Sequence, residues 1–189
     1  MDKHTHYPLP TMFHSDGEGK AFTHCKVCDI DLQQSHVPYT IEKAYQKQAD
    51  GSLVTLFEIA VCMPCAQKQS QKMSKESRAF IAQTLMNEKT LKKRKDVWEN
   101  NWEEEWDKKC FFSEEETSSL KTFHIVGQFQ NEAVIPGEAP MVIGEELLNY
   151  LQENLSKETK DEFNDFAKTH LGPDPHLAKL LEEHQFILV

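Results

Sequence analysis

The sequence predicts an α+β protein in which an N-terminal β-hairpin runs into a long helix and a small, helix-rich α+β layer follows. Three observations carry this. Two segments rich in strand formers flank an Asp50-Gly51 turn. The stretch from Ala66 to Lys109 holds no Gly or Pro and is dominated by Gln, Lys, Glu, Met, Leu and Ala, the composition of helix. Beyond it, short apolar runs alternate with amphipathic ones across turns bearing Pro and Gly. A chain of 189 residues is long enough for one good core or for two small modules sharing an interface.

On these signals the chain divides into a mobile lead-in (1–20), a cysteine-bearing hairpin module (21–75), a long helix (76–109) and a C-terminal α+β region (110–189). The lead-in is rich in His, Pro and Gly and has no hydrophobic period; it is expected to fold over the surface. Its His4, His6 and His14, with His24 just beyond, repeat no known ligand spacing and read as surface histidines. The first strand is expected over 37–45 and the second over 52–61, since both alternate bulky and polar side chains or concentrate β-branched ones. Pro64 suits a first helical turn, where its missing N–H costs nothing.

An unbroken helix over the next segment would reach about 65 Å at 1.5 Å per residue, too long for a compact domain of this size. A break near Asn87–Lys95, or an arm packing on another subunit, is therefore expected. Trp98, Trp102 and Trp106 recur at a spacing of four and form one stripe, read first as core and second as a groove for a partner. Further on, 122–129 reads as a strand and 141–143 as a short strand entering a helix over 144–151. Ser156 stands where a helix N-cap belongs, and Gly172-Pro173 stops that helix. Another helix is expected over 174–184, before the apolar end Phe186-Ile187-Leu188-Val189.

The chemistry lies in five cysteines. Four form two C-x-x-C pairs, Cys25-Lys26-Val27-Cys28 and Cys62-Met63-Pro64-Cys65, separated by the predicted hairpin. A hairpin brings the outer ends of its strands together, so the pairs meet although 33 residues lie between them. Four thiolates satisfy a tetrahedral zinc ion and leave no position open, which makes the expected site structural. Cys65 opens a helix, whose positive dipole end favours thiolate. Cys110, beside Phe111 and Phe112, reads as a small packed hydrophobe.

The order of knuckle, hairpin and knuckle running into a helix resembles the treble-clef family of zinc fingers over residues 24–75, well under half of the chain. The resemblance implies zinc held by Cys25, Cys28, Cys62 and Cys65. It assigns no function, because treble clefs serve nucleic-acid binders, nucleases, ubiquitin-related modules and plain structural elements. Iron in a rubredoxin-like site is the less favoured metal, since such knuckles carry a glycine after the second cysteine where this chain has Asp29 and Ala66. A dithiol redox pair lacks its βαβ context. His24 or His36 could substitute as a ligand, but four thiolates make that unnecessary.

The formal charge of −10 argues against a general affinity for nucleic acid, although charge is unevenly spread. Residues 66–96 carry nine Lys/Arg against three Asp/Glu, and 97–118 carry two against eight. No apolar run approaches the roughly 20 residues of a membrane span. The N-terminus lacks a secretory apolar stretch, so a cytoplasmic address is expected. There is no H-E-x-x-H, P-loop or G-x-S-x-G pattern. His124, His170, His176 and His184 are too scattered to nominate a centre, and the runs 103–105 and 114–116 of Glu read as solvated faces.

These features lead to the expectation of a zinc-stabilised cytosolic interaction or scaffold protein, with a protein partner or self-association through the long helix. One alternative is nucleic-acid binding through Lys68, Lys72, Lys75, Arg78, Lys92, Lys93, Arg94 and Lys95. The other is an enzyme whose site assembles from distant residues.

Overall fold

The computed structural model describes residues 7–100 and 102–171. The helix expected over 174–184 and the apolar end, with His4, His6, His176 and His184, lie outside the described residues.

The hairpin forms where β-branched and aromatic residues concentrate. Strand β1 (Tyr39–Lys47) and strand β2 (Leu53–Cys62) pair antiparallel from Tyr39↔Cys62 to Lys47↔Leu53. Gly51 takes the left-handed conformation that the turn requires (φ +85°), and Asp50 accepts the Ser52 N–H at 2.9 Å. A bulge at Ala44/Tyr45 leaves one extra residue on β2. Strand β3 (Thr122–Gln130) joins the other side of β1, antiparallel, from Tyr39↔Phe129 to Gln46↔Thr122. Strands β4 (Ala133–Val134) and β5 (Met141–Gly144) both pair antiparallel with β3, which completes a five-stranded sheet among the described residues. The tight β3–β4 turn places Asn131 and Glu132 at positive φ.

Because β1 is covered on both faces, alternation gives way to continuous burial from Tyr39 to Tyr45. One face carries Tyr39, Ile41, Lys43 and Tyr45, opposite Phe129 and Phe123 of β3. Of the segment expected as a mobile lead-in, the described part from residue 7 onward crosses this face and contributes Leu9 and Phe13 to the core. Phe13 is fully buried between Phe129 (ring centroids 4.9 Å) and Trp106 (5.3 Å), and Leu9 is buried beside it. The Lys43 ammonium, 1 % exposed, ties the segment down by donating to the His14 carbonyl (2.7 Å) and to Asp16 (2.5 Å), with Glu58 at 3.0 Å. Phe13, the ring that drives this, is the one phenylalanine in a segment of scattered Pro, His and Gly, so no periodicity announces it.

The helical stretch is likewise divided rather than continuous: α1 (Met63–Lys72), α2 (Lys75–Leu85), α3 (Glu88–Glu99) and the single turn α4 (Trp102–Glu105). The break at Asn87 falls at the edge of the expected window, whereas those near Ser74 and Asn100 were not anticipated. Both Ser74 and Asn87 redirect the chain by accepting backbone N–H groups, from Ser77 (3.1 Å) and Thr90 (3.0 Å), and so begin new helices. The C-terminal layer adds α5 (Glu145–Asn154) and α6 (Lys157–His170), the latter capped by Ser156 as the sequence predicted. Both α1 and α5 pack along the sheet.

A second, smaller apolar cluster joins α2, α5 and α6 through Leu151, Leu155 and Phe163, with Phe80, Ile81 and Leu85 against them. Its base is a ring of hydroxyls. Ser156 N donates to Ser77 Oγ and Ser74 N donates to Thr159 Oγ1, both at 3.0 Å, and the two cap hydroxyls meet at 3.0 Å. Each helix thereby caps the other.

Candidate metal centre

The first knuckle follows from local hydrogen bonding. Cys25 N donates to the Ile30 carbonyl and Asp29 N to the Cys25 carbonyl, both at 2.9 Å, closing a tight loop around Cys28. Asp29 sits at φ +59°, the left-handed conformation a glycine commonly supplies here. The missing glycine therefore does not exclude the knuckle geometry. Lys26 N reaches the Ala60 carbonyl on β2 (2.9 Å), which fastens the loop to the hairpin edge.

The second pair arises where β2 turns into α1. Cys62 ends the strand and is the N-cap of α1; Pro64 and Cys65 occupy its first turn. Met63 N donates to the Pro38 carbonyl at 2.8 Å, holding this corner against the start of β1. The hairpin register Tyr39↔Cys62 then returns the chain to where it left the first knuckle.

The four sulfurs of Cys25, Cys28, Cys62 and Cys65 lie within 4.8 Å of one another, and Cys28 Sγ stands 3.7 Å from Cys62 Sγ. A tetrahedral ion bound at about 2.3 Å sets its sulfurs about 3.8 Å apart. A disulfide would need about 2.05 Å, and all four are free thiols. Backbone N–H groups of Val27 (3.4 Å) and Cys62 (3.3 Å) point at Cys25 Sγ, a donor arrangement suited to thiolate. Cys25, Cys62 and Cys65 are buried, and Cys28 alone is exposed.

The thiols' acidities reflect this packing. The Ile30 backbone N–H holds Cys28 below the ordinary thiol range. Burial pushes Cys62 and Cys65 above it, and for Cys65 the neighbouring sulfurs act in the same direction. Four thiolates this close repel one another, and a divalent cation at their centre reverses that balance. The donor set therefore fits a metal ion and leaves no coordination position for water.

Other residues singled out in the sequence disperse. Trp102 and Trp106 are buried by their own chain, so neither offers a groove to a partner. Trp98, half-buried, stacks on Trp102 at 5.4 Å, and Tyr7 packs edge-on against both. The reason is the lead-in, whose aromatic residues cover the stripe. Lys68, Lys75 and Lys92 are exposed and Arg78 is half-buried. Lys72 lies 3.9 Å from Glu162, and Lys95 lies 3.9 Å from Glu99. Lys93 bonds the Phe111 carbonyl and Glu114, and Arg94 pairs with Glu138. Cys110 is 2 % exposed, and its sulfur accepts the Gly144 N–H at 3.3 Å.

Two polar groupings escaped the sequence reading. Glu42 and His124 are both fully buried on the sheet, with His124 Nδ1 at 2.6 Å from the Glu42 carboxylate. Lys43, next along β1, gathers Asp16 and Glu58. The only signal was a Glu-Lys pair inside a strand otherwise rich in strand formers. Among the described residues no helix is long and apolar enough to cross a membrane. Comparison of the chain with protein families, with curated proteins and with solved structures finds no match.

Proposed function

We propose that Cys25, Cys28, Cys62 and Cys65 bind one zinc ion in a closed, structural centre of treble-clef type, and that the protein is an interaction or scaffold protein held in shape by that ion. The observation that carries this reading is the meeting of four sulfurs within 4.8 Å at the two ends of one hairpin. Four thiolates fill a tetrahedral shell, so the ion anchors rather than activates water. Zinc takes this geometry with no redox chemistry of its own; iron is the competing ion for four sulfurs. Unpaired cysteines this close persist in a reducing compartment, which makes a cytoplasmic location part of the proposal.

Elemental analysis of the purified protein tests the metal directly, with one zinc per chain expected. Cys62→Ala should release it and lower the melting temperature. A Cys62→Ala protein that keeps one zinc and melts unchanged rejects the assignment.

For the partner, the α2–α3 corner is the surface proposed, because Met86 is 61 % exposed and Leu91 47 % exposed there. Self-association at that corner predicts a solution mass above the monomer's 21.9 kDa, returning to it in Leu91→Lys. A wild-type monomer removes self-association. Nucleic-acid binding is the weaker reading, because Lys93 and Arg94 are spent on intrachain partners and the chain carries a charge of −10.

A further inference from the structure

The cysteine cluster is asymmetric in a way that its structural role does not need. Three sulfurs are buried, and the fourth, Cys28, is exposed. Cys28 Sγ lies 3.7 Å from the Sγ of Cys62, the N-cap of α1. An oxidant arriving from solvent therefore meets one sulfur first, and that sulfur has a second close by at the end of β2. Cys25, by contrast, is 2 % exposed and holds two backbone N–H donors.

We propose that the centre is a peroxide-sensitive switch in which Cys28 is the entry point and a Cys28–Cys62 disulfide ejects the metal. This rests on the reading of the four cysteines as a metal site. The reactant is hydrogen peroxide or an alkyl hydroperoxide. The Cys28 sulfur attacks one peroxide oxygen; the S–O bond forms, the O–O bond breaks, and the leaving hydroxide takes a proton to become water (an alcohol from an alkyl hydroperoxide). The Cys62 sulfur then attacks the Cys28 sulfur; the S–S bond forms, the S–O bond breaks, and the second hydroxide leaves as water with another proton. Two thiolates lose two electrons and the peroxide gains them, while the zinc ion stays divalent throughout. With two of its four sulfurs withdrawn, the ion departs into water, and Cys25 and Cys65 take up protons.

The consequence is mechanical. The reduced, metal-bound state holds both knuckles through four bonds, whereas the oxidised state leaves a single covalent tie between the first knuckle and the N-cap of α1. Cys25 and Cys65 lose their common ligand, so the start of α1 loosens from the hairpin. A thiol reductant together with zinc reverses the change.

The test uses the full-length, metal-loaded protein, with metal content measured beforehand. Equimolar hydrogen peroxide is added, released zinc is followed with a chromogenic chelator, and disulfides are mapped by mass spectrometry of a non-reduced digest. The expected result is one zinc released per disulfide formed, with Cys28 joined to Cys62. Zinc retained under excess peroxide overturns the proposal while leaving the metal site intact; a disulfide confined to Cys25–Cys28 or to Cys62–Cys65 overturns the pairing. A protein purified without metal, and unable to take up zinc, instead fails the underlying reading. Cys28→His supplies a second readout, since imidazole can hold zinc but cannot form the disulfide. If it binds zinc, its peroxide-driven release should slow at least tenfold, and release at the wild-type rate overturns the entry role; if it does not bind, the wild-type digest decides.

Discussion

At the cysteine cluster, Cys25 and Cys28 meet Cys62 and Cys65; at the α2–α6 junction, Ser74 and Ser77 meet Ser156 and Thr159. Both places close long stretches of chain with four small polar side chains. Their chemistry differs. The hydroxyls both donate and accept, so the ring between the helices satisfies itself with bonds of 3.0 to 3.3 Å and needs nothing from outside. Ionised cysteines only accept. Gathered within 4.8 Å, ionised sulfurs repel one another, and under the proposed reading a cation at their centre offsets that repulsion. On the proposed reading, one junction is stable by composition and the other by occupancy.

Removing the ion should sharpen this contrast most. A strong chelator, or Cys62→Ala, is expected to cost more than about 4 kcal/mol, since loss of a metal is among the mechanisms behind the largest single-site effects. Hydrogen exchange should then show protection lost over β1, β2 and α1 while amides of α2 and α6 keep theirs. Equal loss in both regions would break the comparison. Next in size is Phe13→Ala. The ring is fully buried against Phe129 and Trp106, so its removal should destabilise by about 3–5 kcal/mol in denaturant titration. A change under 1 kcal/mol would show that the N-terminal segment does not belong to the sheet core.

Thr159→Val keeps the shape of the hydroxyl junction and strands the Ser74 N–H, at an expected cost of about 1–2 kcal/mol. Metal content should be unchanged, which separates this junction from the first. The smallest effect concerns acid. Burial alone would raise Asp16, but hydrogen bonds from Lys43 and Thr55 and the Lys43 charge hold its carboxyl below the usual range. A carboxyl lowered on folding adds stability above its unfolded value, near pH 4, and loses it as pH falls through the lower folded one. Asp16→Asn should therefore narrow the stability gap between pH 6 and pH 3, measured by melting. The effect is small because the Asp16 side chain is half exposed. Lys43 works at the other end of the scale: burial opposes its charge, yet Asp16 and Glu58 hold it raised, so its contribution fades only above its ordinary range near pH 10.5.

Legibility followed the range of the interactions. The hairpin was readable because Asp50-Gly51 is a local turn signal between two runs of strand formers, and the two C-x-x-C pairs were readable because metal geometry constrains spacing. Ser156 was seen as a cap and Ser74 was not. Ser156 precedes a clear amphipathic run, whereas Ser74 sits inside a stretch whose composition is helical on both sides. The cap on α2 is reinforced by Thr159, 85 residues away, and no window of sequence holds both.

By itself, the sequence determined which four cysteines meet at the candidate centre, the antiparallel hairpin that brings them together, and the α+β class, because each rests on residue types at short, geometrically constrained spacings. Only the tertiary structure decided the rest. It drew Tyr7 and Phe13 over the tryptophan stripe, since aromatic rings on an irregular segment bury themselves wherever the sheet leaves a cleft. It sank Glu42, Lys43 and His124 into the sheet, because each found a hydrogen-bond partner from another part of the chain. It also left Cys28 as the one exposed sulfur. The spacing of four cysteines can bring them together, but which one faces water depends on everything packed around them.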